Sequence, residues 1–270
     1  MEIFTYTFMQ RAFIVGNVVG IIAPLMGVFL ILKRLALIGH AISHVALAGV
    51  AVGLFLGIYP VVTAIFVTII AALFIENLRN KYQDYAELSL AIILATGLGL
   101  MTVLISMLQN NVRIISYLFG SITLVTSQDL YLIIPLGALL CFIVFRLYYG
   151  FIYLTFHEEQ AILAGVPVKY FNIVFMIMIA LTVSLSIRIV GGLLIASLIS
   201  LPVACALQIA GSFRGTIWYS IIFGLLMVNS GLIISFYYDL APGGTIILTG
   251  VACLLGTLVY KKVSKKYQKN

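Results

Sequence analysis

Two histidines four residues apart, His40 and His44, interrupt the stretch "LALIGHAISHVALAGVAVGLF" (35–55), which is otherwise apolar or built of small residues. On a helix with 3.6 residues per turn they stand about 40° apart around the axis and about 6 Å apart along it. Both rings therefore share one face and form one site, with Ser43 at its edge. Neutral imidazole nitrogen is a common ligand for zinc and other first-row divalent ions. The alternative is that each ring merely hydrogen-bonds a neighbouring helix. Ionisable groups are expensive in a bilayer and usually face a cavity there, so a pair at i and i+4 favours the metal reading. Two ligands do not complete a tight site; the rest must come from other helices, from water or from the molecule that hands the ion on.

A helix carrying such a pair has to be enclosed by others. Gly49, Gly53 and Gly57 repeat every fourth residue, with Ala46 and Ala48 beside them, so a second backbone can approach closely. Gly16 and Gly20 offer a similar face earlier in the chain, with Asn17 between them as a polar contributor. Composition supplies the setting. Of 270 residues, 63% are hydrophobic and 9% charged, where a soluble domain needs roughly a quarter charged residues to cover its surface. This is the composition of a membrane protein.

Apolar runs near the ~20 residues needed to span hydrocarbon occur at 12–32, 36–57, 61–77, 88–108, 129–147, 170–187, 189–210, 215–236 and 244–260. Each is read as helix, because a lipid-buried backbone must satisfy its own hydrogen bonds and none of these runs alternates with period two. The run at 61–77 is short, and the opening "MEIFTYTFMQR" could lie in the interface, so eight or ten spans are the alternatives to nine. The expected fold class is all-α, a polytopic membrane protein with about 8–9 transmembrane helices in one domain, 1–270.

Nine spans put the termini on opposite sides. One side then holds twelve of the fifteen basic residues: Lys33, Arg34, Arg79, Lys81, Arg146, Lys169, Arg214, Lys261, Lys262, Lys265, Lys266 and Lys269. The other keeps Arg11, Arg113 and Arg188. Cytoplasmic loops collect Lys and Arg, so the basic tail 261–270 is read as cytoplasmic, where it suits contact with anionic lipid. The net charge of +7 thus reports topology, and no nucleic-acid partner is expected, since no soluble module presents these residues.

Several functions are disfavoured by absent motifs. No P-loop occurs, so the chain has no ATPase site of its own, and no His-Glu-x-x-His suggests a zinc protease. No arrangement of nucleophile, base and orienting group can be assembled, so an enzyme is not expected. Cys141, Cys205 and Cys253 fall singly in apolar spans and read as small hydrophobes. The opening residues lack a signal-peptide pattern, so no leader is expected to be removed. Asn17, Glu76, Glu87 and Asn229 are candidates for path or packing groups, with Glu87 at the interface. Arg188, at the outer end of a span, reads as an interfacial anchor. The longest cytoplasmic loop, "FHEEQAILAGVPVKY" (156–170), reads as a short amphipathic helix closed by Gly165 and Pro167, suited to a partner's groove; a solvated loop on lipid is the alternative.

Five motifs now carry a resemblance over nearly the whole chain. The sequence resembles the integral-membrane permeases of ABC-type divalent-metal importers, which take up zinc, manganese or iron. "KRLALIGHAISHVALAGVA" is similar to the family's "GDAxSH" segment, and Tyr117 to Ile122 to its "YLFGSI". Phe156 to Val168 resembles the coupling segment "FDxExAxxxGxPV". "VGGLLIASLISLPVACA" and "APGGTIILTGV" are similar to "VGxLLxxxLxxxPAAxA" and "PPGxTIxLxxV".

The resemblance implies a permease fold similar to type II ABC importers and a homodimer in the bacterial cell (inner) membrane. It implies a coupling helix at about 156–165, with Phe156, Glu158, Glu159 and Gly165, seated in a cleft of a cytoplasmic ABC ATPase subunit. It also implies an extracellular metal-binding protein that delivers the ion. No cofactor is bound permanently; the divalent ion is cargo, and His40 and His44 carry over as its ligands. The chain departs from the family where His40 replaces the Asp of "GDAxSH", and also at His157 and Val203. Exchanging a hard carboxylate for a neutral nitrogen moves preference from manganese toward zinc. The expected function is therefore a zinc importer permease. The alternatives are a manganese or iron permease of the same family, or a proton-coupled secondary metal transporter.

Overall fold

The computed structural model describes residues 2–82, 86–107, 112–156, 158–163 and 165–267. After a 3₁₀ turn, Glu2–Phe4, the chain forms α1 (Thr7–Leu32), α2 (Ala36–Leu56), α3 (Pro60–Lys81), α4 (Ala86–Met107) and α5 (Val112–Phe119). It continues through α6 (Ser127–Arg146), α7 (Tyr148–Phe156), α8 (Glu158–Leu163), α9 (Val168–Val190), α10 (Ile195–Ile209), α11 (Phe213–Tyr238) and α12 (Pro242–Tyr267). Local chemistry sets several starts. Pro60 begins α3 with its φ already helical, Thr126 and Asp129 close a capping box on α6, and the Ser212 hydroxyl accepts from the Gly215 N–H at 3.2 Å on α11.

Eight helices, α1, α2, α3, α4, α6, α9, α11 and α12, are long and apolar enough to cross a membrane. The expected span 189–210 differs from the rest. Helix α9 runs on through Val190, Gly191–Leu194 leave the helix, and α10 has only 15 residues. Apolar composition continues across that break, so hydropathy alone reads it as one long span. Helix α1 also starts earlier than expected, at Thr7, so most of the opening segment is helical.

Helices α1, α2 and α9 form the buried centre, while α4, α6 and α12 are largely exposed. Phe66, Ile70, Phe142, Phe145 and Leu248 face outward, an apolar surface that belongs in lipid. Helices α1 and α11 pack through small residues: a Cβ on Gly20 would sit 3.3 Å from the Gly224 carbonyl oxygen, and one on Gly16 would sit 2.9 Å from Val228. Between these contacts the Asn229 amide donates to Asn17 Oδ1 at 2.7 Å. Both asparagines thus join helices, as interhelical polar pairs do in bilayers.

Ion pairs mark the two ends of the bundle. Asn172, in the first turns of α9, meets Lys33 and Glu158, whereas Arg188, near its last turn, meets Asp129. Sixteen residues of helix separate these sites by about 24 Å. Following the helices, Lys33, Arg34, Arg79, Lys81, Arg146, Lys169, Arg214, Lys261 and Lys262 all lie at the Lys33 end. Arg11 joins Arg188 around one cavity at the other. Lys269 lies outside the described residues.

Candidate metal site

Helix α2 follows α1 after a three-residue turn in which the Leu35 N–H donates to the Leu30 carbonyl at 2.9 Å. His40 and His44 therefore fall in the first turns of α2, near the basic end. Their ring centroids are 4.8 Å apart with the planes at 85°, so the structure brings the pair together. The two rings differ in environment. His44 is 8% exposed and its Nδ1 has no hydrogen-bond partner, whereas His40 is exposed. Ser43 is buried, and its hydroxyl donates to the Gly39 carbonyl at 2.7 Å, which uses its proton within the helix. Among the described residues no third His, Cys, Asp or Glu joins the pair in a metal-binding group. One chain thus presents two adjacent imidazoles and, among the described residues, no further metal-ligating side chain beside them.

The small-residue face of α2 divides in two. Gly49 and Gly53 lie against α3, where added Cβ atoms would approach Ala64 Cα to 2.7 Å and Pro60 Cα to 2.8 Å. Gly57, expected in the same row, does not pack: it ends α2 with φ 69° and has open space where a Cβ would stand. It is the left-handed helix cap that glycine adopts without steric cost. On another side, Gly97 of α4 comes close to the Val45 backbone. The histidine helix is thereby held by α3 and α4.

Within the segment 156–165 the described residues up to Leu163 are helical. Phe156 belongs to α7, α8 covers Glu158–Leu163, and Gly165 turns the chain at φ 76°; His157 and Ala164 lie outside the described residues. Buried Ala161 seats α8 on Leu154 and Val168. Ile162 and Leu163 are 59% and 88% exposed, with Glu159 exposed beside them and Phe156 half-exposed against Phe213. Glu158 turns inward instead. It accepts from the Asn172 amide at 2.9 Å and lies 3.8 Å from the Lys33 ammonium, which itself donates to Asn172 Oδ1 at 2.8 Å. Burial pushes the Lys33 amine below the usual lysine value, with Glu158 opposing that shift. Glu76 and Arg79 of α3, paired at 3.2 Å, add charge close by. This knot ties α8 to the joint between α1 and α2, and so to the helix that bears His40 and His44.

At the other end lies a cluster that sequence reasoning missed. Asp129 is fully buried and accepts from the Thr126 N–H at 2.7 Å, from Arg188 Nε at 3.1 Å and from the Tyr59 hydroxyl. Arg188 also donates to the Leu124 carbonyl at 2.7 Å and stacks over the Tyr117 ring. It is a buried clamp between α6 and α9, not the interfacial anchor expected. Burial, reinforced by the bond to Asp129, raises the Tyr59 phenol above its ordinary range. The one local signal was Thr126-x-x-Asp129, a capping pattern just before an apolar run. Removing one member of a buried ion pair typically costs about 3–5 kcal/mol. Arg188→Met is expected to lose that much in thermal unfolding of the purified protein, and an added Asp129→Leu to restore part of it. An unchanged midpoint in the single variant would rule out the clamp.

Three of the motifs meet near this cluster. The Gly192 N–H donates to the Tyr117 carbonyl at 2.8 Å, and the Ser121 N–H to the Arg188 carbonyl at 3.3 Å. Gly120 and Gly191 adopt φ of 81° and 83° with their backbones in contact, and a Cβ on Gly243 would meet the Phe119 carbonyl at 2.5 Å. At membrane depth, non-helical backbone is tolerated where protein buries it or where it lines a water-filled cavity. The glycines of "YLFGSI", "VGGLL" and "APGGT" satisfy that condition for one another, and Gly192 touches Leu47 of α2.

Known proteins are similar to this chain over most of its length. A probable metal transport system membrane protein of Treponema pallidum is 35% identical over 260 residues, covering 96% of this chain and 98% of that one. The high-affinity zinc uptake system membrane protein ZnuB of Haemophilus influenzae is 32% identical over 243 residues, covering 88% and 91%. Other relatives are named for manganese and for iron transport. Among solved structures, PsaBC from Streptococcus pneumoniae in complex with Fab superposes with a TM-score of 0.86 at 28% identity, over 95% of this chain and 92% of that one. The ABC 3 transport family matches residues 5–261, a range that holds the glycine junction and every spanning helix but the last residues of α12, and this multi-pass membrane chain belongs to that family.

Proposed function

We propose that the chain is the permease subunit of an ATP-driven importer that carries a divalent transition-metal ion, zinc in preference, into the cytoplasm. The observation that carries this reading is the His40–His44 pair: one imidazole exposed within a span, the other buried with a partnerless Nδ1. An imidazole facing lipid would be costly, so the exposed side of α2 is one that the functional assembly covers. If a second copy covers this face across a two-fold axis, four imidazoles meet there, the ligand number and tetrahedral preference of zinc. The names of the relatives support a metal cargo and leave its identity among zinc, manganese and iron.

The basic end, with its tail, is read as cytoplasmic by the excess of Lys and Arg there. On that reading Phe156, Glu159, Ile162 and Leu163 offer a partly apolar, acidic surface for a cytoplasmic ABC ATPase, with Gly165 setting the turn. An extracellular metal-binding protein would dock at the opposite end. The test is ATP hydrolysis by the chain reconstituted with its ATPase and binding protein, with zinc and manganese in parallel. Stronger stimulation by zinc supports the proposal, and stimulation by manganese alone would replace zinc with manganese.

A pH dependence follows from the ligand chemistry. Imidazole must be neutral to bind metal, and its ordinary pKa is about 6.5. Protonation as pH falls therefore removes ligands, and uptake is expected to decline as the medium is acidified. A profile that stays flat down to about pH 4.5, well below the ordinary imidazole range, with ATP hydrolysis itself corrected for pH, would argue against histidine ligation.

A further inference from the structure

Helices α6, α7 and α11, with Leu25 of α1, enclose a groove of about 710 Å³. Its floor is Leu25, Val144, Ile217 and Ile221; its mouth, at the basic end of the bundle, holds Arg146 and Arg214. Arg146 is the last residue of α6 and Arg214 the second of α11. Both are exposed, and neither makes an ion pair or side-chain hydrogen bond among the described residues. Trp218 and Tyr149, each 67% exposed, flank the mouth, and Phe145 is 83% exposed beside it.

We infer that this groove is a binding site for an anionic phospholipid, with its phosphate between Arg146 and Arg214 and an acyl chain along the floor. Ile221 lies seven residues beyond Arg214 on α11, about 10 Å deeper toward the centre of the span. A ligand filling the groove must therefore be apolar over that depth and anionic at the mouth. A soluble protein docking at the basic end could reach the arginines but not the floor. Guanidinium groups suit phosphate because they donate two parallel hydrogen bonds to it. Trp and Tyr beside them are the residues that settle at the headgroup level of a bilayer. Two unpaired cations disfavour a zwitterionic headgroup, whose own cation they would repel. None of the residues lining the groove belongs to α2, so the surface bearing His40 and the lipid site are separate. The inference needs only the membrane embedding of the chain and is independent of its cargo.

Trp218 is the single tryptophan of the chain and reports on the groove directly. The full chain, reconstituted in phosphatidylcholine vesicles, would be titrated with acyl-brominated phosphatidylglycerol or, in parallel, acyl-brominated phosphatidylcholine. Each basic residue near an anionic surface contributes about fivefold in affinity, so the pair sets an upper limit of about 25-fold. Brominated phosphatidylglycerol is expected to quench Trp218 at several-fold lower mole fraction than brominated phosphatidylcholine. Arg146→Gln/Arg214→Gln should erase that difference, and Arg146→Lys/Arg214→Lys should keep much of it. Both positions are exposed, and circular dichroism of the variants is the check that they remain helical. Equal quenching by the two lipids in the unaltered chain, or an undiminished preference in the glutamine variant, would overturn the site. Displacement by millimolar inorganic phosphate would also overturn it, because the arginines would then be binding a free anion without the acyl chain.

Discussion

His44→Ala is expected to cut metal uptake by at least about 100-fold, the upper end of what loss of even an outer-shell partner costs a metal site, while leaving the chain folded. His44 has no hydrogen bond at Nδ1 to lose, and its ring is near one edge of the core, so the cost in stability should stay at the lower end of large-to-small changes. His40→Asp is the informative companion. A carboxylate there returns a hard oxygen ligand, and competition between zinc and manganese should move toward manganese while uptake continues. The measurement is uptake of radiolabelled ion into cells or vesicles with the second metal as competitor. Near-normal zinc uptake by His44→Ala, or unchanged competition in His40→Asp, would detach the two rings from the ion's path.

The contrast between what was legible in the chain and what was not has a physical basis. His40 and His44 could be paired from spacing alone, because four residues on a helix fix a relative direction whatever surrounds it. The eight long spans were legible for a similar reason, since the need to satisfy backbone in lipid leaves an apolar run few options. Asp129, Tyr59 and Arg188 were not, because they lie on α6, in the turn before α3 and on α9, and only tertiary packing makes them neighbours. The shortness of α10 was hidden by continuous apolar composition. Its signal was the pair Gly191–Gly192, whose need to meet Gly120 and Tyr117 is a contact across about 70 residues. The row Gly49, Gly53, Gly57 shows the limit from the other side: one period covers two packing glycines and one helix cap, and spacing cannot separate them.

Lys33→Met is expected to uncouple ATP hydrolysis from transport. Lys33 closes α1, with its N–H donating to the Phe29 carbonyl, and stands three residues before α2. Its amine meets Asn172 of α9 and Glu158 of α8, so a displacement of α8 by a bound ATPase reaches the histidine helix through one side chain. Methionine keeps the buried volume and removes the amine. The Glu158–Asn172 hydrogen bond survives, and the outward surface of Phe156, Glu159, Ile162 and Leu163 is untouched. The variant should therefore still copurify with the ATPase, while the ratio of metal-stimulated to unstimulated hydrolysis falls toward about one and ions moved per ATP fall with it. A role in packing alone would lower yield and unfolding temperature without moving that ratio. A double-mutant cycle with Glu158→Gln sharpens the test, since residues acting through one contact are non-additive. Lys33→Met with Glu158→Gln should be little worse than either change alone. Additive losses would mean that the two side chains act separately. A normal stimulation ratio in Lys33→Met would leave α8 and the histidines to communicate through the α9 backbone, and that alternative predicts that stiffening or loosening α9 between Asn172 and Ser184 alters coupling where Lys33 does not.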